Sequence, residues 1–411
     1  VASAYASLSR EQLATLVPEL LLGGHLIDRA GMAWCIAEWG REEMAQVAVE
    51  EWSGASPVYT RRMQRALGFS GDDVVTIFKG LQLDIGAPPQ FMDFRFTVHD
   101  PRHGEFRLDH CGALMDVEPM GEDYVRSMCH DIEDPTFDAT AVATDPRAQV
   151  RPVHRPPRVP ADRSPHCAWT VVIDESHPEV HPSDDCLALS GSAAALVMLD
   201  PVDPLSPGRS SYDGPLLADL DLAAFSHSAL VRIADEVVLQ WHLLALSFIR
   251  AVRRRGDDAT VRRLASKQLI GIAGLTASRL ADALGLPRTP DAALEVLRLN
   301  PLLNPVAYVG TVASRDALRV GGGPAGEDDG WLRLVGPGAT RALEAVVQAV
   351  DPTCSVEVGG DPADWTVRVT TGHEPAPEPE EVAVTRLSTG AGFVFRPRRS
   401  LPIRPIAQEA P

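Results

Sequence analysis

Basic residues are scarce in this chain relative to acids: 38 Lys and Arg stand against 56 Asp and Glu, a formal net charge of −18. Nucleic acid and anionic membrane surfaces both demand clustered cations, so neither is expected as the main partner. Long apolar runs are missing too. The most apolar stretch, Val237 to Val252, is interrupted by Gln240, His242 and Arg250. It falls short of the roughly 20 clean apolar residues a bilayer span needs, so no membrane segment is expected and it reads as a buried helix. The N-terminal stretch lacks a basic region followed by an apolar core and a small-residue cleavage site, so no secretory leader is expected. Six cysteines in 411 residues are too few for a disulfide scaffold, which makes a reducing, cytoplasmic compartment the expectation.

What is present is a folding composition, 45% hydrophobic and 23% charged, in a chain longer than one core usually organises. The sequence itself suggests how it divides. Leu8 to Leu13 can be laid over Phe225 to Leu230, each with a serine placed to cap a helix, and the same distance into each helix comes a histidine, His25 and His242. Arg62 to Gly68 pairs with Arg279 to Gly285, glycine closing both helices. Strand-like sequence follows at Phe94 to Val98 and at Ala307 to Val312, and both stretches close on Trp-Thr-Val, at Trp169 and Trp365. The predicted architecture is therefore α+β: two tandem copies of a helical lead followed by an antiparallel sheet with a crossing helix, paired as an intramolecular pseudo-dimer, with a homodimer also open. The expected boundaries are 1–174 for the first module, 175–222 for a Pro/Asp/Ser-rich connector with an apolar patch at Ala193 to Leu199, and 223–373 for a degenerate second module. A Pro- and acid-rich tail, 374–411, is expected to be extended and solvated from Glu374 to Glu381, with a short strand at Gly392 to Arg396.

Chemistry-bearing residues gather in the first module. Cys111, Cys129, His154 and Cys167 supply thiolates and an imidazole, the donors that zinc and ferrous iron prefer, and four can close a tetrahedral site holding one ion per chain. Their gaps are too long for a zinc finger, so the ligands would come from separate strands and loops; His110 or His130 could replace one of them. The second module keeps only Cys354 in the corresponding stretch, as if the set were lost as a unit. His110, His130, Asp131 and Glu133 are candidate proton carriers beside a metal-bound water. Asp131 to Asp134 before Pro135 can equally be a solvated loop. Arg151 and Arg155, with Arg158 nearby, could bind a substrate carboxylate or cap a basic strand edge. His25 and His242 lie on apolar helix faces and read as satisfied core histidines, although His25 with Trp34 and Cys35 could line a pocket.

The run Cys129, His154 and His166-Cys167-Ala168-Trp169-Thr170-Val171 resembles the vinyl-reductase (4VR) domain, with His154 standing where that pattern has Cys and Pro156-Pro157 where it has Gly. Gly40 to Glu43 is similar to a turn in L-2-amino-thiazoline-4-carboxylic acid hydrolase-like proteins. The resemblance spans residues 8–174 and, faintly, 225–371. It implies a small-molecule-binding α+β fold, often dimeric, with a Cys-rich metal site. From residues and resemblance together, the expectation is a metal-dependent hydrolase or lyase acting on a small polar, heterocyclic or carboxylate-bearing molecule. The rivals are a small-ligand sensor with a structural metal and an iron–thiolate redox protein.

Overall fold

Capping residues delimit the leading helices. Ser9 Oγ accepts from Gln12 N at 3.2 Å while Gln12 Oε1 accepts from Ser9 N at 2.8 Å, a reciprocal box that starts α1, Arg10–Trp39. Gly40, at φ 86°, breaks the chain into α2, Arg41–Leu67, which ends at the left-handed Gly68. Asp73 caps α3, Val74–Leu81. A computed structural model supplies these coordinates and describes residues 2–372, 374–386 and 398–406.

After α3 come β1, Met92–Asp100, and β2, His103–Cys111. The connection from β2 to the next strand is α4, Gly112–Val117, α5, Glu122–Arg126, a π-helical turn at Ser127–Ile132, and α6, Glu133–Ala141. β3, Ala148–His154, and β4, Cys167–Ile173, complete an antiparallel sheet ordered β1-β2-β4-β3, with Trp169 opposite Phe106. The expected solvated loop at Asp131 to Asp134 is therefore helical, and Pro135 sits in the first turn of α6, where its missing N–H costs no helical bond.

The connector is ordered in part. α7, Asp184–Ser190, and α8, Ala193–Leu196, are capped by Ser183 and Ser192 and pack on α2 and on α9, His227–Arg253. Next come α10, Asp258–Ala283, α11, Pro290–Leu299, and α12, Val306–Val309. β5, Thr311–Ala313, β6, Ala317–Gly321, α13, Arg341–Val350, β7, Ser355–Asp361, and β8, Asp364–Thr370, form a second antiparallel sheet, ordered β5-β6-β8-β7. Each half thus runs two long helices, a shorter one, a hairpin, a helical connection and a second hairpin, in the same strand order. The strand expected at Ala307 to Val312 starts later: Pro305 opens α12, and Gly310, at φ 80°, turns the chain into β5. The tail departs from its expectation as well. Residues 374–379 lack regular structure, but α14, Glu380–Arg386, buries Glu381, Val382 and Thr385 on α10. Gly274 permits that approach, since a Cβ there would lie 2.6 Å from Val382 Cγ2. The strand expected at Gly392 to Arg396 falls outside the described residues.

The two halves share a core rather than merely touching. α1 packs on α9 and α10, and α2 packs on α9. Trp241 lies on Gly23 and Gly24, where any Cβ would come within 2.4–2.8 Å of its ring, and its Nε1 donates to Leu20 O at 2.9 Å. Buried Arg62 and Glu236 join α2 to α9 through paired bonds of 2.9 and 3.2 Å. Among the described residues no helix is long and apolar enough to cross a membrane.

Candidate ligand cavity and thiol cluster

The first half is hollow between its two long helices, the β1–β2 hairpin and the broken connection that follows β2. The cavity holds about 520 Å³ and is walled mainly by apolar side chains, among them Met32, Trp52, Phe91, Leu108 and Phe137. That size and character are those of a small-molecule site. Polar groups interrupt the wall at few points. His25 sits 5.2 Å from the Phe91 ring and 6.2 Å from Trp52, centroid to centroid, and its Nδ1 has no hydrogen-bond partner. One turn on, Asp28 leaves its Oδ1 unsatisfied on the wall; behind it the fully buried Glu51 lies next to Asp28 and Gln268, and Trp52 adjoins Asp28.

Burial dominates the titration of these groups. It pushes the His25 imidazole down to about 4, so the ring is neutral at physiological pH. It raises Asp28 to about 6 and pushes Glu51 well above the usual carboxylate range, the neighbouring Asp28 adding to the effect. Asp84, also raised to about 6 by burial, differs in being satisfied: Tyr59 Oη donates to its Oδ1 at 2.8 Å and Gly86 N at 2.7 Å. Orphaned buried polar atoms are uncommon because each forfeits its hydration, so a wall carrying several marks a place where a partner belongs.

Beyond one wall lies the thiol cluster. Cys111 ends β2, Cys129 sits in the π-helical turn, and Cys167 begins β4; all are buried and reduced. π-helical turns recur at functional sites because they re-aim one residue out of helical register, and this one carries Cys129. The thiols feel one another's charge, and Glu133 acts on all three. Burial raises the Cys111 thiol to about 12 and the other two well above the usual range, Glu133 adding to each. Glu133 itself is lifted to about 8 by burial and by Asp134, and it also lines the cavity. His166 positions the cluster: its Nδ1 accepts from Cys111 N at 3.2 Å, which requires a neutral acceptor, and burial with Arg158 nearby lowers it to about 4.

His154 does not join the three cysteines. It stands opposite Ala168 in the ladder, and successive strand residues alternate faces, so it lies on the side of the sheet away from Cys167 and Trp169. Glu133 occupies the neighbourhood the sequence reading gave to His154. The other expected site residues are dispersed. His130 Nε2 is 2.6 Å from Pro156 O, Asp131 is exposed, and His110 packs at 5.6 Å against His166 with the rings tilted. Arg151 pairs with Asp138, Arg155 with Asp134 and Arg158 with Glu118, so all three are committed to carboxylates of their own chain. Trp34 carries Lys267 Nζ 3.4 Å from its ring centre in a separate core cluster that includes Cys35. Of the expected substrate contacts only His25 reaches the cavity. Asp28 and Trp52, which also line it, were missed; the signal available was a carboxylate one helical turn from His25 in a stripe that is otherwise apolar.

The donor set of Cys111, Cys129, Cys167 and Glu133, three sulfurs and one oxygen, suits a borderline-soft divalent ion. Its atoms are not drawn in to ligand spacing: among the described residues only His99, His103 and Glu105 place three such atoms within 4.8 Å of one another. Comparison of the chain with family models, curated proteins and solved structures returns no match.

Proposed function

We infer that this chain is a small-ligand binding module, built as a tandem duplication in which the first copy holds the ligand and the second supports it. The observation that carries the reading is the apolar cavity with His25 and Asp28 unpartnered on its wall. Such a wall favours an apolar body bearing one hydroxyl or amine head, which Asp28 can accept from and the neutral His25 can orient. A carboxylate ligand would face Asp28 and Glu133, and Arg29, the arginine on the wall, already shares its charge with Asp116. The repeated order of elements and strands supports the duplication, and the resemblance to the vinyl-reductase domain agrees with a ligand-binding role. Zinc or ferrous iron would be held by Cys111, Cys129 and Cys167 with Glu133, and would brace the connection that walls the cavity. One observation favours the hydrolase or lyase reading, namely that Glu133 belongs to both cavity and cluster, but of the other expected proton carriers none, neither His110 nor His130 nor Asp131, lines the cavity.

The test is a thermal-shift and calorimetric screen of the full chain against small aromatic and alicyclic alcohols, amines and carboxylates. At least one alcohol or amine is expected to stabilise the protein, with binding weakened about tenfold or more in His25→Leu, the factor that one lost charge-assisted or buried hydrogen bond supplies. Uniform silence across the panel, or binding indifferent to His25→Leu, overturns the reading.

A further inference from the structure

Away from the cavity, the β1–β2 hairpin carries a second group of donors. The ladder aligns Val98 with Gly104 and Asp100 with His103, leaving His99 as the extra residue of a bulge. Thr97 is aligned with Glu105, so strand alternation puts His99, two residues further along β1, on the face occupied by His103 and Glu105, which are two residues apart on β2. The outcome is compact. The imidazole rings lie 4.5 Å apart, His99 Nε2 is 3.2 Å from Glu105 Oε1, and one donor atom from each of the three falls within 4.8 Å of the others.

The contact between His99 and Glu105 is close without being a hydrogen bond. Nε2 is shielded from solvent and lacks a partner in bonding geometry, although the carboxylate oxygen is within reach. A ring N–H directed at that oxygen would satisfy both; instead nitrogen and oxygen face a common third point. Two donors each about 2.1 Å from a tetrahedral ion stand about 3.4 Å apart, close to the separation found.

The hairpin beneath is rigid. Gly104 is pressed on Phe78 of α3, where a Cβ would meet the ring at 2.7 Å. The turn is pinned on both sides, Val74 N donating to Pro101 O and Ile173 N to Arg102 O, each at 2.9 Å. Donors held this way lose little freedom on binding, which is what lets three side chains suffice.

We propose that His99, His103 and Glu105 form a binding site for a divalent transition cation, Zn²⁺ foremost, on the outer face of the first sheet. Two imidazoles and a carboxylate are a complete protein donor set for zinc that leaves one position for water or an incoming ligand. The site is independent of the thiol cluster, being on the opposite face of the sheet from Cys167.

The experiment is a titration of the full chain with Co²⁺, followed by competition with Zn²⁺. Cobalt on thiolates gives an intense near-ultraviolet charge-transfer band, and cobalt on imidazole and carboxylate does not, so the two sites are read separately. The wild type is expected to saturate with one equivalent that lacks the thiolate band. His99→Asn and His103→Asn should each weaken that equivalent by at least about tenfold, and Glu105→Gln by about as much, the lower end of what disturbing a metal's ligand shell costs. All three positions are partly solvent-exposed, and unchanged circular dichroism and melting temperature will show that the variants fold. Band-free cobalt binding of equal affinity in the variants overturns the proposal, as does binding that fails to saturate.

Discussion

His25 and His242 occupy the same place in two helices of the same plan and live in opposite circumstances. Both are held neutral, each pushed down to about 4 with burial as the leading cause. His242 is satisfied: its Nε2 lies 2.7 Å from Asn304 O and 3.2 Å from Pro301 O, and Tyr308 and Trp331 pack edge-on against its ring. His25 instead borders open space, with a single backbone contact at Ile85 and Nδ1 unpartnered. The cause lies in the connection between hairpins. In the second half a ten-residue helix, α13, settles directly on α10, with α14 beside it. In the first half the chain is divided among α4, α5, a π-helical turn and α6; the turn and α6 pack on α2, and the cavity opens between this broken connection and α1. A gap kept in the first half and filled in the second is what the proposed division between a binding half and a supporting half requires.

The sharpest way to break that contrast is through the cysteines. If the first half alone braces its connection with metal, protein purified without chelator carries about one tightly held zinc or iron per chain, and Cys129→Ala and Cys167→Ala lose it, because a thiolate set bound this way contributes several kcal/mol of folding free energy. Cys354→Ala, in the second half, should keep full metal content. Elemental analysis of the dialysed proteins decides it. Full retention in Cys129→Ala removes the thiol cluster from the account.

Next in size is a pH effect at Asp28 in the hollow half. Asp28 has its pKa raised from 3.8 to about 6, so the folded chain binds its proton more tightly than the unfolded chain does. The stability this contributes is present below the unfolded value and is lost as pH rises through about 6. Asp28→Asn should therefore match the wild type near pH 4 and exceed it by about 2–3 kcal/mol at pH 7, because each tenfold change in proton affinity is worth about 1.4 kcal/mol. Urea unfolding at both pH values measures the difference; a variant less stable at pH 7 would mean that the carboxylate is ionised and paired in the folded protein.

Much of the framework was legible in the sequence, because capping and helix-ending residues act locally. Ser9 and Ser226 do cap the leading helices, and Gly68 and Gly285 do take positive φ where helices end. The closing strands at Trp169 and Trp365 lie in equivalent positions in the two sheets. The site was less legible, because membership in it depends on which face a residue takes and on how a connection is routed. His154 was grouped with Cys167 by proximity in sequence, but strand alternation sends it to the other face. Glu133 looked like part of an acidic loop, and only the π-helical turn before it explains a buried carboxylic acid among three thiols. The arginines were visible as charges, but not the carboxylates that neutralise them. The hairpin donors went unread because they converge only once β1 is set in register against β2, Thr97 opposite Glu105 and Val98 opposite Gly104, and nothing in the sequence marked that pairing.

The smallest effect returns to the histidine pair and separates the halves with one substitution made twice. His242→Leu removes the donor from two buried carbonyl groups, which should cost about 1–3 kcal/mol. His25→Leu deletes an imidazole whose Nδ1 is already unsatisfied and extends an apolar wall, so its stability should stay within about 0.5 kcal/mol of the wild type or rise, while ligand binding falls. Urea midpoints of the two variants, measured without ligand, make the comparison. Equal losses at both positions would show that His25 is bonded in the folded chain as firmly as His242, and the cavity would then lack the unpartnered group around which its ligand is argued to bind.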